Sequence, residues 1–140
     1  ASPNASSTMS CVNSSAGCTL YAKDAGSASN PGLWNSTSSA LIESPNAAYS
    51  ATSTLAAGTE GYGIQATTTT AGTGATLTIA AKFAQTGDTV GGFTLSNVTV
   101  ASSTATSSNR EVVATHKAAI AANTPAGTYN DTITYECTAN

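Results

Sequence analysis

From Tyr129 to Cys137 the chain alternates with a period of two. Tyr129, Asp131, Ile133, Tyr135 and Cys137 share one face, and Asn130, Thr132, Thr134 and Glu136 share the other. Successive side chains of an extended backbone point to opposite sides, so this pattern predicts a strand with one face toward a core. The turn signal Thr124-Pro125-Ala126-Gly127 precedes it. The same period recurs in Ala75–Phe83, where Leu77, Ile79, Ala81 and Phe83 oppose Thr76, Thr78 and Lys82. It recurs again in Glu111–Ile120, where Val112, Ala114, His116, Ala118 and Ile120 share a face. Cys18, Leu20 and Ala22 alternate with Thr19, Tyr21 and Lys23, and Ile64 anchors a short strand in Tyr62–Thr69. Phe93 and Leu95 continue the pattern, but Val98 and Val100 fall in the opposite phase. A bulge near Asn97 or a short bend accounts for that slip.

Threonine links this pattern to the composition. The chain has 140 residues, of which 25 are Thr, 19 Ser and 27 Ala, and only 11 are charged. Threonine is β-branched and favours extended backbone, while its hydroxyl accepts water, so a Thr-rich strand needs no charge on its solvent face. Turn signals at Ala25–Gly32, Ser44–Asn46, Gly58–Gly61, Ala71–Gly74, Gly87–Gly92 and Ser102–Asn109 separate the strands. Short strands at this spacing predict an all-β fold, an Ig-like or jelly-roll-type antiparallel β-sandwich. Ser38–Glu43 and the Ala-rich Lys117–Ala122 are the places where one short helix would fit. Residues 1–140 read as one domain, with 1–12 an extended N-terminal arm that lacks strong apolar alternation; Met9 and Val12 are its nearest anchors.

The charge balance excludes several functions. Four Lys/Arg against seven Asp/Glu give a net charge of −3, with no footprint for nucleic acid. No apolar run approaches the ~20 residues of a membrane span. Ala1 is not an initiator, so the chain reads as a secreted product after signal-peptide removal or as an excised fragment. The expected setting is extracellular or at the cell surface, where two of the three cysteines, Cys11, Cys18 and Cys137, would form a disulfide. Cys11–Cys18 is the local pairing, and Cys18–Cys137 would instead tie the first good strand to the last. Five Asn lie in N-x-S/T sequons and are candidate glycan acceptors: Asn4, Asn13, Asn35, Asn97 and Asn130.

Candidate chemistry is sparse. His116 is the one side chain suited to neutral-pH base work, and no G-x-S-x-G nucleophile motif accompanies it. No metal-ligand spacing, calcium loop, phosphate cradle or cofactor motif is present, so neither an enzyme nor a cofactor is expected. Trp34 with Tyr21 and Tyr62 is a candidate platform for stacking sugars, against the commoner role of aromatics as core anchors. Asp131 sits on the apolar face of the last strand and needs a partner there. A hydrogen bond from nearby backbone or a hydroxyl supplies one; an isopeptide bond to Lys23 is the covalent alternative.

The segment Thr124–Ala139, TPAGTYNDTITYECTA, resembles the closing strand of secreted bacterial β-sandwich surface proteins. Gly127, Thr128, Tyr129, Asp131 and Thr132 are similar to the G-T-Y-x-D-T pattern of spore coat protein U-like pilin domains, and the Ser/Thr-rich look to TasA/camelysin-type fibre subunits. Tyr135-Glu136-Cys137 is also similar to the Tyr-x-Cys of immunoglobulin domains, without their tryptophan at its usual place. The resemblance covers sixteen residues and implies a structural subunit of an extracellular filament or surface layer, self-associating into a homopolymer by strand donation between subunits. Sheets normally guard their edges with charge, which this chain has little of. The alternative is a carbohydrate-binding or adhesin module built on the aromatic platform.

Overall fold

The segment Cys18–Asp24 shows why these residues form strands: Cys18, Leu20, Ala22 and Asp24 are buried, while Thr19, Tyr21 and Lys23 reach toward solvent. The computed structural model of the chain describes residues 4–12, 14–45 and 51–140. In chain order the strands are β1 (Ser6–Cys11), β2 (Cys18–Asp24), β3 (Gly32–Asn35), β4 (Ala40–Glu43), β5 (Thr52–Thr54), β6 (Gly61–Thr68), β7 (Thr73–Gly74), β8 (Thr78–Ile79), β9 (Thr89–Gly91), β10 (Val98–Ser103), β11 (Ser107–Ser108), β12 (Arg110–Ala119) and β13 (Ile133–Ala139). One sheet runs β1-β12-β6-β9-β5 and the other β13-β2-β10-β8, with two-stranded pieces β3-β4 and β11-β7 beside them. The pairings are antiparallel, and the fold is an all-β sandwich, as the alternation predicted.

The inner faces of both sheets meet in one core. Met9, Tyr62, Ile64, Ala66, Val112 and Ala114 come from the five-stranded sheet; Leu20, Ala22, Val98, Val100 and Ala101 come from the four-stranded one. Phe83 and Phe93, both fully buried, fill the space between, with ring centroids 6.3 Å apart. The bulge lies at Val100, where β10 skips a residue against β2 between Thr99 and Ala101. That extra residue lets Val100 and Ala101 both enter the core. The change of phase before it is a bend at Leu95–Ser96, as one of the two expectations had it.

Several expectations are corrected. No helix is found among the described residues: Ala40–Glu43 is β4 after a turn, and Lys117–Ala119 belongs to β12. Pairing of Lys117, Ala118 and Ala119 with Gly63, Tyr62 and Gly61 outweighs the alanine preference for helix. The strand expected over Ala75–Phe83 shrinks to β8, because the chain then turns, with Phe83 N donating to Ala80 O at 2.8 Å. Lys82, placed by alternation on the solvent face, is buried instead, its ammonium 5.0 Å from the Phe83 ring centroid. Burial pulls its pKa down to about 8. Residues 6–11 of the expected arm form β1, paired with β12 of the same chain, and Met9 and Cys11 are their buried anchors, while Val12 is exposed.

Gly17 shows how closely the loops pack. It has a φ of +91°, and a Cβ there would lie 2.0 Å from the Ser103 carbonyl oxygen. Gly17→Ala is therefore expected to destabilise the fold by about 2–4 kcal/mol through strain and clash. Phe93→Ala, which empties the centre of the core, is expected to cost about 3–5 kcal/mol. Urea unfolding of both variants checks these values; a change below about 1 kcal/mol in either would contradict the packing described.

Candidate functional site: a polar seam between the sheets

β1 borders one sheet and β13 the other, and the two run close together along one side of the sandwich. Beside them opens a cleft of about 540 Å³, lined by Ser7, Leu33, Tyr62, His116, Asp131 and Tyr135 among others. His116 lies in β12, on the face that buries Val112 and Ala114. Its Nδ1 is 3.0 Å from Tyr62 Oη, and its Nε2 is 3.0 Å from Tyr135 Oη and 3.3 Å from Ser7 Oγ. The imidazole thus joins β6, β12 and β1 of one sheet to β13 of the other.

The electrostatics keep this group neutral. Burial lowers the His116 pKa, and the nearby Asp131 charge acts against that shift without reversing it. A neutral ring has one N–H and one bare nitrogen, so it donates to one hydroxyl and accepts from another. Burial, reinforced by the Asp131 charge and eased by a bond from Ser7, pushes Tyr135 up to about 12, and burial raises Tyr62 further still. At neutral pH both phenols keep their protons and the imidazole between them is uncharged. Ser7 and His116 are within reach of each other, but the second imidazole nitrogen meets a phenol where a Ser-His-Asp arrangement has a carboxylate.

Asp131 lines the cleft, and the buried Asp24 lies beside it. Asp131 Oδ1 accepts from the backbone N–H of Gly26 at 3.1 Å and of Thr132 at 2.7 Å, which is the backbone partner its position called for. Lys23 is exposed on the opposite face of β2. Asp24 is only 3% exposed, and neither of its oxygens nor Asp131 Oδ2 has a hydrogen-bond partner of good geometry. Burial first, and then the Asp131 carboxylate, push the Asp24 pKa up to about 7. A proton held on Asp24 gives the pair one hydrogen bond and removes one buried charge.

The cysteines gather at the other end of the seam. Cys11 and Cys18 are joined by a disulfide, the local pairing of the two weighed from sequence. Cys137, exposed and free, places its Sγ 3.4 Å from Cys11 Sγ, and the three sulfurs lie within 4.8 Å of one another.

The aromatic platform residues are not assembled. Tyr62 is buried on His116 and Phe93, Trp34 is half-buried in the β3–β4 hairpin, and Tyr21 faces outward between Glu136 and Thr99. No ring contact joins the three among the described residues. Of the sequon residues, Asn4, Asn97 and Asn130 are exposed, and Asn13 lies outside the described residues. Asn35 does not fit a surface role: it is buried, and its Oδ1 accepts from the backbone of Thr37 and Ser38. Tyr49, a further aromatic of the same region, also lies outside the described residues.

Sequence reasoning missed Ser7, Tyr135 and Asp24 as partners of this seam. The available signal was that His116, Asp131 and Tyr135 all fall on inward faces, where a polar group requires company. No protein-family model matches the chain, no curated protein matches it in sequence, and no solved structure matches its fold.

The two buried acid–base groups have opposite linkage to folding. The raised pKa of Asp24 makes its contribution full below its ordinary value of 3.8 and lost as pH rises toward 7. The lowered pKa of His116 makes its contribution full above 6.5 and lost as pH falls below that. Asp24→Asn is expected to abolish a loss of stability, on the order of 2–4 kcal/mol, between pH 4.5 and 7.5. Urea midpoints at the two pH values measure it. A variant that keeps the wild-type slope would show that Asp24 does not hold the proton.

Proposed function

We propose that the protein is a structural subunit of an extracellular filament or surface layer, assembling by addition of a strand from one subunit to a sheet edge of the next. The observation that carries this reading is the state of the edges. The strands that border the two main sheets are β1, β5, β8 and β13, and their residues include a single charge, Glu136. Open N–H and C=O groups on an uncharged edge are a template for another strand. β13 is the longest of these edges, and its inward face is only half-buried at Ile133 and Tyr135, beside the cleft. A strand laid there would satisfy the edge and cover that apolar surface. The closing-strand resemblance to spore coat protein U-like and TasA/camelysin-type subunits points the same way. The Cys11–Cys18 disulfide suits an oxidising setting outside the cytosol. No helix of the described residues is long and apolar enough to cross a membrane.

The test is sedimentation and negative-stain microscopy of the purified chain across a concentration series. The wild type is expected to form filaments or open-ended oligomers. Thr134→Lys with Thr138→Lys, both on the exposed face of β13, is expected to raise the concentration needed for assembly about tenfold or more. Wild-type protein that remains monomeric at the highest attainable concentration sinks the proposal. Glycan binding by that monomer, lost on Trp34→Ala, would put the adhesin reading in its place.

A further inference from the structure

The contact between Cys137 and the disulfide lies within one chain and does not depend on assembly. We propose that the Cys11–Cys18 disulfide and the Cys137 thiol form an internal exchange pair, in which the cross-link moves from Cys11–Cys18 to Cys11–Cys137 and back. Cys137 Sγ stands 3.4 Å from Cys11 Sγ, near van der Waals contact, at the exposed end of β13. Cys18 Sγ, the sulfur that must leave, is buried and 3.8 Å from Ser107 Oγ, a hydroxyl able to donate to a departing thiolate. All three sulfurs lie within 4.8 Å, so either pairing is reached with small side-chain movements.

The step balances without an added oxidant. Cys137 loses its proton to water, and the thiolate electron pair attacks Cys11 Sγ. The new Cys11–Cys137 bond forms as the Cys11–Cys18 bond breaks, and Cys18 leaves with the bonding pair and takes a proton from water. One disulfide and one thiol are present before and after. Burial raises the Cys137 pKa, with a backbone bond at Val12 easing it, so the exchange quickens as pH rises.

The two states differ in what they hold together. Cys11–Cys18 closes a connection of sequence separation 7 between β1 and β2. Cys11–Cys137 spans a separation of 126 and clamps β1 to β13, the border strands of opposite sheets, across the seam. Cross-links that close longer loops restrict the unfolded chain more. The exchange also moves the free thiol from an exposed strand to a buried position, out of reach of oxidants and other thiols.

The few cationic residues make the test direct. Trypsin releases Cys11 and Cys18 together in Ala1–Lys23, and Cys137 in Ala118–Asn140. Oxidised protein is held at pH 7 to 9, quenched with acid, unfolded, labelled with a maleimide and digested without reduction. The expected result is a cross-linked pair of these two peptides with label on Cys18, rising with time and pH to roughly a tenth or more of the total. In wild type, label found on Cys137 alone at every pH overturns the proposal, as does a cross-link that leaves Cys11 labelled. Cys18→Ser is expected to oxidise to an internal Cys11–Cys137 bond with no free thiol; covalent dimers through Cys137 instead would also overturn it. Cys137→Ser is expected to keep Cys11–Cys18 and to take up no label.

Discussion

The pairing of β13 with β2 is the constraint on which the rest of the structure depends. Ile133 lies opposite Asp24, Tyr135 opposite Ala22 and Cys137 opposite Leu20. This register turns the odd-numbered residues of the last segment inward, so that Tyr135 reaches His116 and Cys137 reaches Cys11. Asp131, two residues before the strand and in the same phase, arrives beside Asp24. A shift by one residue would exchange the faces of β13, sending all of these groups to solvent and Thr134 and Glu136 into the seam. The acid pair, the imidazole bridge and the sulfur cluster therefore stand or fall on one ladder. That ladder joins the last strand of the chain to one of the first, and it borders its sheet.

Elsewhere the chain replaces charge with hydroxyls. Ser44 Oγ accepts from Phe93 N at 2.9 Å, fixing the loop that places the Phe93 ring. Ser14 and Ser107 exchange two backbone bonds of 2.9 and 3.0 Å beside the disulfide. Gln65 holds the turn before β9 through Gly87 O and Thr89 O, each at 2.8 Å. Small polar groups satisfied by backbone can be buried at low cost, whereas a buried charge must be paired or neutralised. Asp24 and His116 follow that rule: burial pushes the Asp24 pKa up and the His116 pKa down, each toward its uncharged form. The result is a sandwich whose interior tolerates many polar atoms and whose borders have almost no charge to keep other strands away.

What could be read from sequence follows from how local each signal is. β2, β12 and β13 were legible because a period of two persists over several residues with a core on one side. β1 was not, since SSTMSC has only Met9 and Cys11 to mark its inner face, and its pairing with β12 supplies the rest. Around Phe83 alternation misled, because a strand and a tight turn can both deliver that ring to the core, and only packing distinguishes them. The seam was half legible. Alternation indicated that His116, Asp131 and Tyr135 point inward, but their partners lie on other strands, 54 residues away in the case of Tyr62 and His116. Asp24 carried no signal of its own, because its burial arises from Gly32 and the 131 region closing over it, not from its neighbours in sequence. Register across sheets is a tertiary property, and no local pattern encodes it.

The seam and the open edge are physically coupled because β13 belongs to both. Any strand added along β13 would cover Ile133 and Tyr135 and expel water from the cleft that also holds His116 and Asp131. Drying the cleft would deepen the desolvation that already lowers His116, and would strengthen the Asp131 charge felt by Asp24, which interacts with Asp131 without itself lining the cleft. The Asp131 charge opposes only the His116 shift, and it adds to the Asp24 shift, so the net effect is to tighten the hold on the Asp24 proton. Edge addition at β13 would then be linked to proton uptake at Asp24, and by reciprocity a higher pH that strips this proton would weaken the addition. In a chain with 11 charged residues, few surface pairs dilute such a term. The same scarcity of charge that leaves the edge open would then let one buried carboxyl pair bias strand addition there.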